Sequence, residues 1–349
     1  MDLQKEVKMK KLLLKVPNSE IVLNTPAFLV GNGINYLSEN NATKDVNVSW
    51  KELLMETFPN GDFFNITNFE KDLDGLTYPE IAELAELYAR QVEGKKYNNT
   101  IKNKIAKRLI SIDQRRKANN LYKNHTELVN LAEIINCPIL TTNYDHLLLN
   151  TMDYPFATTK QLEGKRIEEP FLIDSRGKKI KKENGRISPI NMYFRYKPFT
   201  PGTNICEEFA IWPIHGSMRF PGSICINNDD YARNTAKIEE SLRNITSNDD
   251  KRPWEGKYQW PNIFINNDLV ILGLGLDYSE TDIRALLTRR FKYNKSKGNN
   301  IRTIYIYRRD NKTKDLPAGK ERFFKALEID CIGLPDSELY RLNYLSIID

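Results

Sequence analysis

The residues best suited to chemistry follow a short apolar segment at the point where it stops. Pro138–Thr141 is a β-favouring run that predicts a buried strand, and Thr142, Asn143 and Asp145 come directly after it. A Leu-rich segment resumes at His146, so Asp145 can cap a helix by accepting hydrogen bonds from its first N–H groups. Ligands of open α/β sheets bind at the carboxyl ends of strands, which makes this loop a candidate site. The alternative is that Asn143 and Asp145 only satisfy turn and cap geometry.

A second apolar run also ends at polar residues, and one of these is a histidine. The apolar run Phe209–Ile214 leads into His215 and Gly216, and His215 is one of three histidines in the chain. Imidazole exchanges a proton near neutral pH, so a histidine at a strand end is a candidate acid or base. An isolated histidine is more often a structural hydrogen-bonding group, and that alternative stays open.

Two glycine turns also follow predicted buried strands. The run Ala27–Val30 ends at Gly31, Asn32, Gly33 and Ile34. The run Asp268–Leu272 ends at Gly273 and Gly275. Glycine permits positive φ and lets backbone N–H groups approach a phosphate without an intervening Cβ. A plain tight turn explains either motif equally well when it is taken alone.

The segments around these stops alternate between strand and helix patterns. Apolar residues recur at helical spacing through 78–136, and Ser49–Glu52 matches a capping box that starts a helix. Ser279 and Asp282 indicate a further helix cap, and an alternating strand pattern follows at 301–307. The order predicts an α/β fold: a parallel sheet flanked by helices, with an inserted helical subdomain. The four polar or glycine-rich segments that follow predicted strands should then lie together at one edge of the sheet; we call them the four stops.

We divide the chain into a lead-in at 1–25, a main domain at 26–334 and a tail at 335–349. The main domain contains a helical insertion at 58–136 and a polar insertion at 155–208. The tail and the polar insertion have no role in the predicted core. We therefore expect them to contact other subunits or a partner.

Composition limits the class of protein. The 349 residues carry a net charge of +6, which is too weak to indicate nucleic-acid binding by itself. We expect the basic residues between Lys102 and Lys117 to form a solvated face. The four cysteines form no Cys-x-x-Cys pair, which argues against a zinc ribbon. We accordingly expect no bound metal. No run has the apolar length of a signal peptide or a membrane span, so we expect a cytoplasmic protein without a membrane partner.

The four motifs, taken in order along the chain, resemble those of the sirtuin family. The order is Gly-x-Gly, Thr-x-Asn-x-Asp, His-Gly and Gly-x-Gly-Leu, and the similarity extends from about Phe28 to Leu287. Sirtuins are NAD-dependent enzymes with a Rossmann-like core. The resemblance implies a Rossmann-like parallel sheet that binds NAD as a substrate.

The resemblance also implies roles for individual residues. Asn143 and Asp145 would line the pocket for the nicotinamide ribose, and His215 would act as the general base; these three are the implied catalytic residues. The implied dinucleotide-binding residues are Gly31, Asn32, Gly33, Ile34, Thr142, Gly216, Gly273 and Gly275.

The chain departs from protein-deacylating sirtuins in three respects. The segment after the first glycine motif, 36–48, has no recognisable counterpart in those enzymes. The chain also lacks the two Cys-x-x-Cys pairs that hold zinc in those enzymes, and no acyl-lysine cleft motif follows His215. It is closer to the sirtuin-like domains of bacterial antiphage systems, which hydrolyse NAD to ADP-ribose and nicotinamide. Some of these act with a hexameric HerA-family ATPase and others with an Argonaute. The resemblance implies an antiphage NAD hydrolase that forms a homo-oligomer or acts with such a partner, with nucleic acid involved at most indirectly.

Other functions stay open on the sequence alone. A catalytically silent sensor would be stabilised by NAD or ADP-ribose without turnover. A deacylase would form O-acyl-ADP-ribose from NAD and an acetylated peptide. A nucleic-acid-binding module would use the basic residues at 102–117 and 178–182 and would bind with strong salt dependence.

Overall fold

A computed structural model shows a parallel β-sheet covered by helices. It describes residues 11–16, 19–37, 49–57, 73–93, 100–118, 123–151, 171–172, 188–195, 199, 203–243, 256–277, 280–309, 316–339 and 342–348. Within these residues the strands are β1 (Lys11–Val16), β2 (Ser19–Leu23), β3 (Pro26–Val30), β4 (Ile139–Thr141), β5 (Phe171–Leu172), β6 (Met192–Tyr193), β7 (Ile211–Pro213), β8 (Asp268–Leu272), β9 (Thr303–Arg308), β10 (Ile329–Leu334) and β11 (Leu345–Ile348). The α-helices are α1 (Trp50–Thr57), α2 (Tyr78–Glu93), α3 (Thr100–Ala118), α4 (Lys123–Ile134), α5 (Leu147–Asn150), α6 (Asn228–Ser241), α7 (Trp260–Asn266), α8 (Thr281–Lys297), α9 (Ala318–Ala326) and α10 (Asp336–Leu339).

The central sheet has the strand order β10-β9-β8-β3-β4-β7, and all neighbouring strands in it run parallel. Every residue of β3 and β8 is buried, because both faces of the sheet are covered. Strands buried on both faces occur as nearly continuous apolar runs, which is the pattern that predicted them. The predicted α/β fold with a Rossmann-like parallel sheet flanked by helices is confirmed.

Alternate residues of β3 contribute to two separate apolar clusters. Phe28 and Val30 pack on the face that holds α4, through residues such as Leu128. Ala27 and Leu29 pack on the opposite face with α7 and α8. The sheet therefore has a hydrophobic layer on each side, and its carboxyl edge stays available for the connecting loops.

The predicted helical periodicity through 78–136 is confirmed by α2, α3 and α4. The capping box is also present, since the Ser49 N–H donates to Glu52 Oε2 (2.7 Å) and the Glu52 N–H donates to Ser49 Oγ (3.2 Å). Helices α1, α2 and α3 form a third apolar cluster that includes Tyr144 and Met218. The helical insertion thus packs against the loops that follow β4 and β7.

The two ends of the chain form a second sheet with the antiparallel order β11-β1-β2. Tyr344 and Leu345 are buried in the same cluster as Leu12 and Leu14 of β1. The expectation that the tail at 335–349 has no role in the core is therefore wrong. A four-residue strand whose partner lies at the other end of the chain carries too little local signal to be predicted.

The described parts of the polar insertion hold short strands at the edge of the sheet. Met192, Tyr193 and Ile205 are buried in its two apolar clusters, so the expectation that this insertion has no role in the core is also wrong. Strands β5 and β6 pair antiparallel, and Phe194 forms an antiparallel bridge with Ile211 of β7. The basic run at 178–182, one of the two segments proposed for nucleic-acid binding, lies outside the described residues.

Candidate active site

The four predicted stops meet at the carboxyl edge of the sheet and line one cavity of about 650 Å³. A volume of this size is typical of small-molecule sites. The predicted residues on its wall are Asn32, Gly33, Thr142, Asn143, Asp145, His215, Gly273 and Gly275. Three predicted ligand-binding residues, Gly31, Ile34 and Gly216, are not among the residues that line this cavity.

The two glycine turns pack directly against each other. The Gly33 N–H donates to Gly273 O (2.7 Å), and the Gly31 N–H donates to Leu272 O (2.9 Å). A Cβ on Gly31 or Gly33 would lie 2.6 or 2.7 Å from Gly273 O, and Gly273 itself has a φ of +62°. Glycine is therefore required here by the close approach of two turns. The N–H groups of Gly31 and Gly33 are engaged within the protein, and phosphate binding at this turn stays a prediction.

Ile34 and Gly216 are each packed closely against other parts of the protein. Ile34 is 2% exposed and packs in the apolar cluster of Phe28. Gly216 has a φ of +96° and lies against the backbone of Ser223, which leaves no room for a Cβ. Both residues shape the turns behind the cavity wall, and their role in binding stays a prediction.

Asn143 is anchored so that one half of its amide remains for a ligand. Its Nδ2 donates to Gly31 O (3.2 Å), and its backbone N–H donates to Thr141 Oγ1 (3.1 Å). The side chain is buried but lines the cavity. The Oδ1 atom can therefore accept a hydrogen bond from a bound molecule.

Asp145 is held by donors from three parts of the chain. Its Oδ2 accepts hydrogen bonds from Asn35 Nδ2 (2.6 Å) and Arg116 Nη1 (3.3 Å), and its Oδ1 accepts one from the Leu147 N–H (3.3 Å). The N-cap position is His146, one residue later than predicted, although Asp145 does accept from the first helical N–H. The Arg116 and Asp145 side chains are 4% and 6% exposed, so a buried ion pair joins the helical insertion to this loop.

The expected solvated face of α3 is wrong for two of its cations. Arg116 is buried against Asp145, and Lys102 Nζ lies 2.6 Å from Asp230 Oδ1 with both side chains buried. Because α3 packs against other parts of the protein, some of its charged side chains face inward. There each cation needs a carboxylate partner, because an unpaired buried charge is strongly unfavourable.

A second carboxyl group, Asp113, lies beside Asp145. Its Oδ2 accepts a hydrogen bond from the His146 N–H (2.8 Å), and its Oδ1 accepts one from Arg116 Nη1 (3.3 Å). Burial and the neighbouring charge of Asp145 raise the pKa of Asp113 to about 8, against the opposing effect of Arg116. At neutral pH Arg116 is thus balanced mainly by Asp145.

His215 contacts an acidic partner. Its Nε2 lies 2.9 Å from Asp282 Oδ2, and its ring meets the Tyr231 ring edge-on at a centroid distance of 5.3 Å. Burial by itself lowers the pKa of His215, but the charge and hydrogen bond of Asp282, together with the charge of Glu280, outweigh it and raise that pKa. The site therefore favours the protonated imidazole more than water does.

Glu280 lines the same cavity. Burial raises the pKa of its carboxyl group to about 7, against the opposing charge of His215. Its Oε2 is buried and has no hydrogen-bond partner among the described residues. The cavity wall thus holds two groups with raised pKa values, Glu280 and His215, and Glu280 changes charge near neutral pH.

Aromatic side chains form parts of the wall. Trp50 meets Tyr144 edge-on at 5.2 Å, and the Tyr144 hydroxyl donates to Cys225 O. Elsewhere on the wall, Lys320 Nζ lies 5.6 Å from the centre of the Tyr305 ring. These surfaces can pack against flat rings and can bind polar groups at their edges.

Three residues of this site were not predicted from the sequence: Arg116, Glu280 and Asp282. Asp282 was expected to cap a helix with Ser279, which lies outside the described residues; it contacts His215 instead. The run of acidic residues just after the second glycine turn was a usable signal. Arg116 carried no signal that separates it from the neighbouring basic residues of α3.

Within the described ranges, no group of three or more His, Cys, Asp or Glu side chains could hold a metal ion. In the same part of the chain, no helix is long and apolar enough to cross a membrane.

The chain matches a known family of protein domains. Residues 138–332, more than half of the chain, match the family model described as a SIR2-like domain. The matched range starts at β4 and includes the Asn143 loop, His215 and the second glycine turn. No curated protein sequence matches the chain at a significant level.

Proposed function

Because this chain belongs to the SIR2-like domain family, whose members are generally NAD-dependent enzymes, we propose that it hydrolyses NAD⁺ to ADP-ribose and nicotinamide. One observation carries the proposal. Asn143, Asp145 and His215 come from two separate strand ends and line the same cavity as the two interlocked glycine turns.

The chemistry of this reaction makes few demands on the protein. Nicotinamide is cationic in NAD⁺ and leaves as a neutral molecule, so no acid has to protonate it, unlike the oxygen leaving group of an ordinary glycoside. The ribose–nicotinamide bond breaks, its electron pair stays with nicotinamide, and the ribose gains oxocarbenium character. Water then forms the new C–O bond and loses a proton. The protein must hold the water, accept the proton and stabilise the positive charge.

The residues of the cavity fit these tasks. Asn143 Oδ1 accepts a hydrogen bond from the attacking water, since Nδ2 is engaged with Gly31 O. His215 uses Nε2 for its acidic partner, which leaves Nδ1 to accept a proton from the water or from a ribose hydroxyl. The charge of Asp145 is balanced by Arg116, so we assign Asp145 mainly to holding the Asn143 loop and only secondarily to stabilising the ribose cation.

Release of nicotinamide from NAD⁺ by purified protein tests the proposal. Asn143→Ala and His215→Ala should each lower the rate by about 10²–10⁴-fold, the contribution expected of a positioned water or base. Asn266→Ala is the matched control. It removes an amide from α7, where Asn266 Nδ2 bonds Asn262 Oδ1 (2.7 Å), and should keep the parent rate.

Equal rates for the parent, Asn143→Ala and His215→Ala would overturn the assignment of these residues. NAD⁺ that stabilises the protein against heat, with no nicotinamide released under any condition, would indicate a sensor instead. Formation of O-acyl-ADP-ribose from an acetylated peptide would indicate a deacylase.

We further propose that the hydrolase serves antiphage defence and is kept inactive until it assembles or meets a partner. Unregulated hydrolysis would exhaust the NAD⁺ of its own cell, so an off state is required. A homo-oligomer or a hexameric HerA-family ATPase is the expected regulator. Nicotinamide release should therefore rise when the proteins encoded beside it are added, and light scattering should detect an assembly. A monomer that is fully active alone would contradict this proposal.

A further inference from the structure

The contact between His215 and Asp282 joins two distant parts of the chain at the cavity. Asp282 Oδ2 lies 2.9 Å from His215 Nε2, and their side chains are 1% and 4% exposed. Asp282 Oδ1 accepts a hydrogen bond from the Ile283 N–H (2.8 Å) at the start of α8. Both carboxylate oxygens are therefore engaged, and the acidic group is fixed in one orientation.

The surroundings of the ring are acidic on one side and aromatic on the other. Asp282 and Glu280 come from the start of α8, and Tyr231 of α6 meets the ring edge-on. The Nε2 atom is occupied by Asp282, and Nδ1 has no partner within the described part of the chain. A carboxylate that accepts from Nε2–H keeps that nitrogen protonated and leaves Nδ1 as the basic nitrogen.

We propose that Asp282 is a positioning residue for His215, fixing the imidazole so that Nδ1 is the nitrogen that serves the cavity. This inference rests on the proposed NAD⁺ hydrolysis, in which His215 accepts a proton. Asp282 does not touch the reacting atoms. It acts through the histidine, as the third group of a nucleophile–base–orienter arrangement does.

The pairing has a consequence for pH dependence. Asp282 and Glu280 raise the pKa of His215, so a larger fraction of the imidazole is protonated near neutral pH. A base must be neutral to accept a proton, so the rate of nicotinamide release should rise with pH as His215 loses its proton. Replacement of Asp282 by a neutral residue should move this rise to lower pH while lowering the maximal rate.

The histidine content of the chain allows the pairing to be tested without NAD⁺. Burial lowers the pKa of His125 to about 4 and that of His146 to about 3, so His215 is the one of three histidines expected to titrate above pH 6.5. In tag-free protein with labelled histidine, NMR should show one such signal, and its loss in His215→Ala identifies it. Asp282→Asn should lower its titration midpoint, whereas Asp282→Glu should preserve a raised midpoint.

Kinetic measurement on the same proteins completes the test. Asp282→Asn should lower kcat by about 10²-fold or more, because an amide does not fix the tautomer as a carboxylate does. Asp268→Asn is the matched control: Asp268 is a buried carboxylate at the other end of β8, bonded to the Asn24 and Arg302 N–H groups. It should keep the parent titration and the parent pH profile.

An unchanged midpoint in Asp282→Asn, or parent rates at every pH, would overturn the inference. If Asp282→Asn does not fold, a midpoint that falls to an ordinary histidine value in Asp282→Glu has the same meaning. A parent that releases no nicotinamide under any condition would overturn the proposed function alone, since the titration still decides whether Asp282 holds the histidine.

Discussion

The carboxyl group of Asp113 illustrates how burial sets the charge of a single residue in this molecule. Its side chain is 0% exposed and shares Arg116 with Asp145. One arginine cannot balance two carboxylates in a medium that solvates charge poorly. Asp145 carries the charge, and the raised pKa of Asp113, about 8, keeps it largely protonated at neutral pH.

This raised pKa predicts a stability that falls as pH rises. The native state holds a proton that the unfolded chain releases near pH 4, so the contribution is complete below the unfolded pKa and is lost as pH approaches 8. Between pH 6.5 and 8 the free energy of unfolding should fall by up to about 1.4 kcal/mol per pH unit from this group. Glu280 and His215, whose pKa values are also raised, act in the same direction.

Asp113→Asn isolates this contribution, because an amide keeps an oxygen for the His146 N–H and does not titrate. Urea unfolding at pH 6.5 and 8 should show a smaller loss of stability in the variant than in the parent. Asp268→Asn should retain the parent slope. Equal slopes in all three proteins would show that Asp113 is already ionised at neutral pH.

At the scale of elements, the helical insertion supports the site. Helix α3 supplies Arg116 to the loop after β4, and it supplies Lys102 to Asp230 on α6. The insertion therefore reaches the loop after β4 and the helix that follows the His215 loop through buried ion pairs. A displacement of α3 by a partner would act on Asp145 directly, which makes this insertion a route for the proposed regulation.

Arg116→Met should cost about 3–5 kcal/mol of stability, because it leaves Asp145 buried without its cation. It should also reduce nicotinamide release, since the Asn143 loop loses an anchor. Arg108→Met on the same helix is the control. Arg108 pairs with Glu56 at 2.8 Å with side chains 32% and 42% exposed, and such a pair contributes at most about 1 kcal/mol.

Urea unfolding measures the stability of both variants, and nicotinamide release measures their activity. Arg116→Lys, which keeps the charge but offers fewer donors, should fall between the parent and Arg116→Met. Similar stability of Arg116→Met and Arg108→Met would mean that the insertion does not hold the loop through this contact.

At the scale of the whole molecule, strands from near the two ends of the sequence pair with each other. Strands β1 and β11 pair over four residues, from Lys11 opposite Ile348 to Leu14 opposite Leu345. Their apolar side chains join the cluster that covers one face of the central sheet. Strands β1 and β11 are thus part of the core, and a partner that contacts β11 would have to bind the side that faces away from this cluster.

Leu345→Ala should lower the stability of the whole protein by about 2–5 kcal/mol, as for other large-to-small changes in a core. Val22→Ala is the control on the same sheet: Val22 is 43% exposed, and a change at an exposed position should stay within about 0.5 kcal/mol. Thermal or urea unfolding measures both. If Leu345→Ala unfolds at the same temperature or urea concentration as the parent, the tail does not contribute to the core and is again a candidate for partner contacts.

Much of the fold could be predicted from the sequence because its signals are local. Apolar runs predicted β3, β4 and β8, helical spacing predicted α2 to α4, and Ser49–Glu52 predicted the start of α1. Each of these signals depends on residues that are close together in the sequence. The shared edge of a parallel sheet then placed the four stops together, and the structure brings them to one cavity.

The tertiary structure alone decided how these residues are held. Asp282 meets His215 across 67 positions of the chain, and Arg116 meets Asp145 across 29. The glycines at 31, 33 and 273 are required because two turns touch, which neither turn reveals by itself. The physical reason is that burial, and with it the charge state of each polar group, depends on which distant segments pack together. Local sequence sets the type of group and the element that carries it, whereas packing sets its partner and its pKa.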